Sequence, residues 1–291
     1  MNLIKHKNIF FAISLSLLIP SIVALLVWGI KPNIDFTGGS LLEIEIQSEQ
    51  PVDAQQLREA ISNIEEINEV QALENGRFIL HGSQLSNEEK GQILSQLESL
   101  GQVSEIQFES IGPVLGNELI FKTINAVLLV AVLIIFYVWK QFKQFKYGVC
   151  AIIGMFHDSL ILLGSFSIFG HFLGVQVDVL FVTALLTTLS FSIHDTIVIY
   201  DRIRELSNRH PQLAFKQVAN LAIWETLARS INNSLTIIFM LAALVLLGGE
   251  TIRWFSVALL IGAIAGTYSS TFTAVPLLVL WDEIKAKEQA N

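Results

Sequence analysis

The chain has 291 residues, of which 52% are hydrophobic and 15% charged, with mean hydropathy +0.57 and a formal net charge of −8. Soluble domains carry about 25% charged residues, so an ordinary soluble protein is excluded, and the lack of a basic stripe argues against a nucleic-acid partner. The single cysteine, Cys150, allows neither an intrachain disulfide nor a thiolate metal centre.

From Ile9 to Ile30 no residue is charged, a run of 22 residues, and about 20 apolar residues cross a bilayer core. The run is too long for a cleaved signal peptide, lacks an A-x-A site and is followed by further apolar stretches. Residues 1–30 therefore read as a cytoplasmic N-terminus and a first span. Residues 31–118 hold 16 Asp/Glu against 4 Lys/Arg, a net of −12, while the remainder carries +4. This acidic segment reads as a separate extracytoplasmic domain. Leu42, Ile44 and Ile46 alternate with Glu43, Glu45 and Gln47, as in a half-buried strand. Asp53-x-x-Gln56 resembles a capping box ahead of a helix carrying Leu57, Ala60, Ile61 and Ile64. A hairpin follows: Glu69 to Glu74, an Asn75-Gly76 turn, then Arg77 to His81. Ser86-x-x-Glu89 caps a second helix with Ile93, Leu94, Leu97 and Leu100, Gly101 is a plausible C-cap, and Val103, Ile106 and Phe108 make a last strand. The order βαββαβ suggests a ferredoxin-like sandwich. His81 reads as a surface residue or a ligand; the acidic surplus reads as a solvated face or as a surface that orients passing chains.

Residues 119–281 hold five more spans, near 121–139, 147–170, 178–200, 231–248 and 254–280, with a cytoplasmic loop at about 201–230 and a cytoplasmic tail at 282–291. One side carries 12 of the 18 Lys/Arg, which places both termini in the cytoplasm. Trp28, Trp139, Trp254 and Trp281 fall near span ends, as an interfacial aromatic belt requires. The fold class is thus a membrane all-α bundle of six transmembrane helices with an α+β domain after the first helix.

Ionisable residues at membrane depth are costly unless paired or hydrated, so each is a functional candidate. Three acids qualify: Asp158 after His157, Asp178, and Asp195 after His194. Asp178, at an outer helix end, reads equally as a cap. Thr188, Ser192, Asp195 and Thr196 form a polar stripe on the fourth span. Arg229, Asn232, Asn233 and Thr236 follow i, i+3, i+4, i+7 on the fifth. If these faces meet, Arg229 could pair with Asp195. A carboxyl between an apolar environment and a guanidinium can load and release a proton; the alternative is a static ion pair joining two helices. Ala258, Gly262, Gly266 and Ser270 repeat every fourth residue on the sixth span, a small-residue face for internal packing or for a subunit contact. Each His-Asp pair diverges by about 100° on a helix and cannot chelate a metal alone, so no metal and no cofactor is expected.

Several ordered stretches resemble one family. Ile34-Asp35-Phe36-Thr37-Gly38-Gly39-Ser40 follows the first span, and Ile111-Gly112-Pro113 through Gly116, Glu118 and Leu119 precedes the second. Ser192-Ile193-His194-Asp195-Thr196 runs on to Asp201-Arg202-Ile203-Arg204-Glu205; Arg229-Ser230 and Ser234-Leu235-Thr236 mark the fifth span; Gly248-Gly249, Gly262 and Gly266-Thr267 mark the end. These, with His157-Asp158 and Asp178, resemble the SecF family along nearly the whole chain. The resemblance implies an RND-type half-bundle that pairs with SecD in the bacterial inner membrane. It implies use of the proton motive force to help draw preproteins from the SecYEG channel after SecA has driven them in. Asp195 then takes the proton-carrying role and Arg229 a modulating one, while Asp201 and Arg202 are structural. The family has asparagine where this chain has His194, which either joins a proton relay or replaces the amide as a hydrogen-bond donor. An RND-type exporter of small molecules or lipids is the alternative function.

Overall fold

The computed structural model describes residues 3–48, 52–61, 67–73, 76–142 and 144–290, which form two compact units, Pro32–Asn125 and the remainder. In the first, a short α2 (Ile34–Thr37) leads into β1 (Gly39–Gln47), α3 (Ala54–Ala60), β2 (Ile67–Ala72), β3 (Arg77–Gly82), α4 (Asn87–Leu97) and β4 (Gln102–Ile111). The strands form one antiparallel sheet in the order β2-β3-β1-β4, the ferredoxin-like arrangement the βαββαβ order implies. Leu42, Ile44 and Ile46 point inward against Leu57, Ile61, Ile93 and Leu97 of the two helices. Both capping boxes form. Asp53 Oδ1 accepts from Gln56 N at 2.8 Å, and Ser86 Oγ accepts from Glu89 N at 3.3 Å while the Glu89 carboxylate takes Ser86 N at 2.7 Å. These bonds hold the Glu89 carboxyl below the usual carboxylate range.

One inward residue departs from the expected alternation. Ile106 is 46% exposed. The register steps from Glu43 opposite Gln107 to Ile44 opposite Glu105, so Ile106 is the extra residue of a β-bulge and loses its core-facing phase. Ile64, Glu74 and Asn75 lie outside the described residues; Gly76 has the left-handed φ of +73° its turn position calls for. The two glycine motifs of this unit close against each other. A Cβ at Gly116 would lie 2.8 Å from both Phe36 O and Gly38 N, and one at Gly39 would lie 2.5 Å from Gly82 O. Backbone therefore packs on backbone at these points, where only glycine fits.

The second unit contains α1 (Lys7–Val27), the later part of α5 (Pro113–Phe142), α6 (Phe145–Leu173), α7 (Val179–Arg209), α8 (Phe215–Leu247), α9 (Glu250–Ser269), a π-helical turn (Ser270–Ala274) and α10 (Val275–Ala290). Six helical stretches, with α9 and α10 counted as one, are long and apolar enough to cross a membrane. α6 is the most enclosed and packs against α1, α7 and α9. Tyr147, Met155, Tyr200 and Ile203 anchor one apolar cluster, and Leu162, Phe166, Phe181 and Ala258 another.

The stretch 201–230, expected as a loop, is helical except for 210–214. α7 continues to Arg209 and α8 begins at Phe215. Charge density suggested a loop, but Ile203, Leu206, Val218 and Ala222 recur at helical spacing and are buried, so both segments are amphipathic helix ends. Ala258, Gly262 and Gly266 belong to internal packing, since a Cβ at Gly262 would meet Thr188 Oγ1 at 2.0 Å and one at Gly266 would meet Ser192 Cα at 3.3 Å. The small-residue face thus lets α9 lie directly on α7.

Candidate functional site

The polar stripe of α7 faces this seam. Thr188, Ser192 and Thr196 are buried, and Thr196 Oγ1 donates to Ser192 O at 2.9 Å. Among the described residues, Thr188 Oγ1 and Ser192 Oγ have no hydrogen-bond partner. Asp195, half-buried on the same stripe, accepts a hydrogen bond at Oδ2 from Ser230 Oγ of α8 at 2.8 Å. One turn further along α8, Ser234 Oγ accepts from Thr267 Oγ1 of α9 at 2.7 Å. The carboxyl therefore sits where α7 and α8 meet, with α9 closing the adjoining turn.

Arg229 does not pair with Asp195. Arg229, Asn232, Asn233 and Thr236 are all exposed, while Thr226, Ser230 and Ser234, spaced by four, are buried. The face of α8 turned toward α7 is thus the serine face, and Arg229, one residue before Ser230, points about 100° away. Sequence reasoning missed the role of Ser230 and Ser234 because serines give little amphipathic contrast; their i, i+4, i+8 spacing with Thr226 was the available signal. Arg229 instead lines a cleft of about 590 Å³ with Asp201, Arg202, Glu205, Glu225 and Thr226. Arg202 bridges Glu205 and Glu225, tying α7 to α8, and Asp201 pairs with Arg204 at 3.0 Å. His194 is exposed.

The other two acids have different surroundings. Asp178 caps α7, its Oδ1 accepting from Phe181 N at 2.7 Å. Asp158 is fully buried on α6, bonded to His157 Nδ1 at 2.9 Å and to Ser269 Oγ of α9 at 2.5 Å. Asp35 lies in the first turn of α2, next to Phe36 and Thr37, and Gly38 and Gly39 carry positive φ as the chain enters β1. These five residues are remote in sequence from the Asp195 seam and belong to the other unit. Chemically, the Asp195 arrangement offers a carboxyl whose protein partner is a neutral hydroxyl. Such a group can gain or lose a proton without breaking an ion pair.

Six spanning helices, a ferredoxin-like domain after the first, and a carboxyl between two packed spans define a polytopic membrane protein of the RND-like class. The family model for the protein export membrane protein SecD/SecF, C-terminal, matches residues 92–284. The SecF protein translocase subunits of Thermobaculum terrenum and Anaerolinea thermophila are each 39% identical, with 97% of this chain and 94% of each relative covered. The crystal structure of SecDF from Thermus thermophilus, described as a translocon-associated membrane protein, superposes with a TM-score of 0.86 at 29% identity. That match covers 97% of this chain and 39% of the solved one. The chain belongs to the SecF family of protein translocase subunits.

Proposed function

We propose that this subunit works with SecD in the bacterial inner membrane, using the proton motive force to assist preproteins at a late stage of passage through the SecYEG and SecA system. Both termini are cytoplasmic and residues of about 31–118 lie on the extracytoplasmic side. Asp195 is the proton-carrying group. The observation that supports this most is its bond to Ser230: the carboxyl joins two spans through a neutral partner, so its protonation state can alter how α7 and α8 hold each other. Arg229 modulates it from the adjoining cleft, which it lines together with Asp201, Glu205 and Glu225. The exposed polar face of Arg229, Asn232, Asn233 and Thr236 is unsuited to lipid, and SecD is the partner that covers it. His194, also exposed, serves that interface as a hydrogen-bond donor in place of the family's asparagine.

The test is reconstitution of the chain with SecD and the translocon in vesicles, comparing proton-gradient-dependent preprotein export for wild type and Asp195→Asn. Loss of the gradient-dependent part, with the complex still assembled, is the expected result. Export equal to wild type would remove Asp195 from the proton cycle.

A further inference from the structure

A second polar cluster lies within the same helical unit, away from the Asp195–Ser230 bond. Asp158 is wholly buried, and His157 is 3% exposed. The imidazole and the carboxylate are bonded to each other through Nδ1 and Oδ1, and Ser269 holds the other carboxylate oxygen. Among the described residues no lysine or arginine forms an ion pair with Asp158. Lys146 is engaged by Asp282 and Lys7 by Glu283. His157 Nε2 is buried and has no hydrogen-bond partner among the described residues.

The groups recorded around the couple on α9, α1 and the π-helical turn are neutral, and Asp282 and Glu283 of α10 are paired with Lys146 and Lys7. α9 contributes Tyr268, whose ring centroid lies 6.5 Å from that of His157 and whose hydroxyl donates to Phe10 O of α1 at 2.9 Å. α1 adds Ser14, bonded to Thr273 of the π-helical turn at 2.8 Å. On α7, Tyr200 donates to Ala274 O at 2.8 Å, Asp195 is engaged by Ser230, His194 is exposed, and Asp201, Arg202, Arg204, Glu205 and Arg209 are held in ion pairs at the helix's C-terminal end. An ionised Asp158 beside a neutral imidazole is one net negative charge on a buried couple, and a buried charge without a counter-ion is costly. One added proton removes that charge without breaking the Nδ1–Oδ1 bond, whether it resides on the ring or on the carboxyl.

We propose that His157, Asp158 and Ser269 form a second proton-binding site in the membrane, which takes up one proton from water and is neutral as a unit when loaded. Nε2 is its exchange point, because among the described residues it is the one polar side-chain atom of the couple without a hydrogen-bond partner. Ser269 reads the occupancy. Its hydroxyl donates to Asp158 Oδ2 and also lies 3.3 Å from Gly266 O, so it has a second acceptor when Oδ2 is protonated. Ser269 immediately precedes the π-helical turn, and Gly266 abuts Ser192 of α7, so the site connects to the α7–α9 seam. This inference does not require Asp195 to carry protons.

The experiment is isotope-edited spectroscopy of the full chain with SecD in lipid at neutral pH. It combines the ring-nitrogen magnetic resonance of histidine with the infrared carbonyl band of protonated carboxyls. The expected result is one proton on the couple: either a doubly protonated ring signal that disappears in His157→Gln, or a carboxylic-acid band that disappears in Asp158→Asn. That signal should persist in Asp195→Asn and shift in Ser269→Ala, which keeps both titratable groups. A singly protonated His157 ring together with an ionised Asp158 would overturn the proposal, as would loss of the signal in Asp195→Asn. The wild-type ring signal and Ser269→Ala decide the matter even where Asp158→Asn fails to assemble.

Discussion

Replacing Gly262 by alanine tests the α7–α9 seam on which Asp195 depends. The added Cβ would lie 2.0 Å from Thr188 Oγ1, 2.8 Å from Cγ2 and 2.9 Å from Cβ. Carbon atoms rest at about 3.5–4.0 Å. Rotating Thr188 cannot relieve the contact, because both branches and the carbon that carries them are too close. The helices must therefore separate or Thr188 must be displaced. Overpacking costs about 1–3 kcal/mol, and alanine in place of glycine within a helix returns about 1 kcal/mol. Because the obstruction includes the β-carbon, the upper part of that range applies, giving a net loss of about 2 kcal/mol. At about 2–4 °C per kcal/mol for a unit of this size, the midpoint should fall by roughly 4–8 °C. Thermal unfolding of the chain in lipid nanodiscs, followed by the fluorescence of its 5 tryptophans, measures this. Thr188→Ala removes Oγ1 and Cγ2, and its own cost should be small because Oγ1 has no hydrogen-bond partner among the described residues. The double variant removes the 2.0 and 2.8 Å contacts but keeps the Thr188 Cβ at 2.9 Å, so it should recover part of the loss, a coupling of about 1 kcal/mol. A Gly262→Ala midpoint equal to wild type, or strictly additive effects in the double variant, would refute this packing.

Three further outcomes follow from the same structure. At Gly164 a Cβ would meet Ser21 of α1 at 2.2 Å from Cβ and 2.4 Å from Cα, so backbone itself must retreat and Gly164→Ala should lower the midpoint more than Gly262→Ala does. Gly148 has nothing within 4 Å of an added Cβ, and Gly148→Ala should stay within about 1 kcal/mol of wild type. In the acidic domain, the bonds from Ser86 depress the Glu89 carboxyl. The cap's contribution is therefore fully present above the ordinary glutamate range and is lost as pH falls through the lowered value. Amide exchange in the first turn of α4 should accelerate across that acid window, and Glu89→Gln should abolish the pH dependence. An unchanged exchange profile in Glu89→Gln would show the carboxylate idle.

Much of the architecture was legible because its causes are local. Uncharged runs long enough to cross a bilayer, period-two alternation at Leu42, Ile44 and Ile46, and the Asp53 and Ser86 boxes each state their structure within a few residues. The bulge at Ile106 was not legible, since it depends on how β4 is registered against β1. The ends of α7 and α8 were obscured because charge density resembles a loop when the buried stripe is sparse. The partner of Asp195 stayed open in the sequence for a related reason. In a lipid-exposed bundle, polarity does not by itself say which face is inward. Arg229 and the two asparagines drew attention to one face of α8, while Ser230 and Ser234 closed the contact from another. Ser269 likewise carried no sequence signal as the partner of Asp158, because nothing in α9 announces which hydroxyl reaches α6.

The π-helical turn at Ser270–Ala274 has a consequence for chain length. A π turn accommodates one residue more than an α turn, yet Val275, Leu278 and Val279 after it remain packed in the core. The turn therefore works as slack: a residue can be gained here without rotating everything that follows by about 100°. The same turn leaves Ala274 O accessible to Tyr200 rather than wholly committed within its own helix. A helix built this way stores one residue within its own length, as a pleat takes up cloth, while Val275, Leu278 and Val279 keep their places in the core.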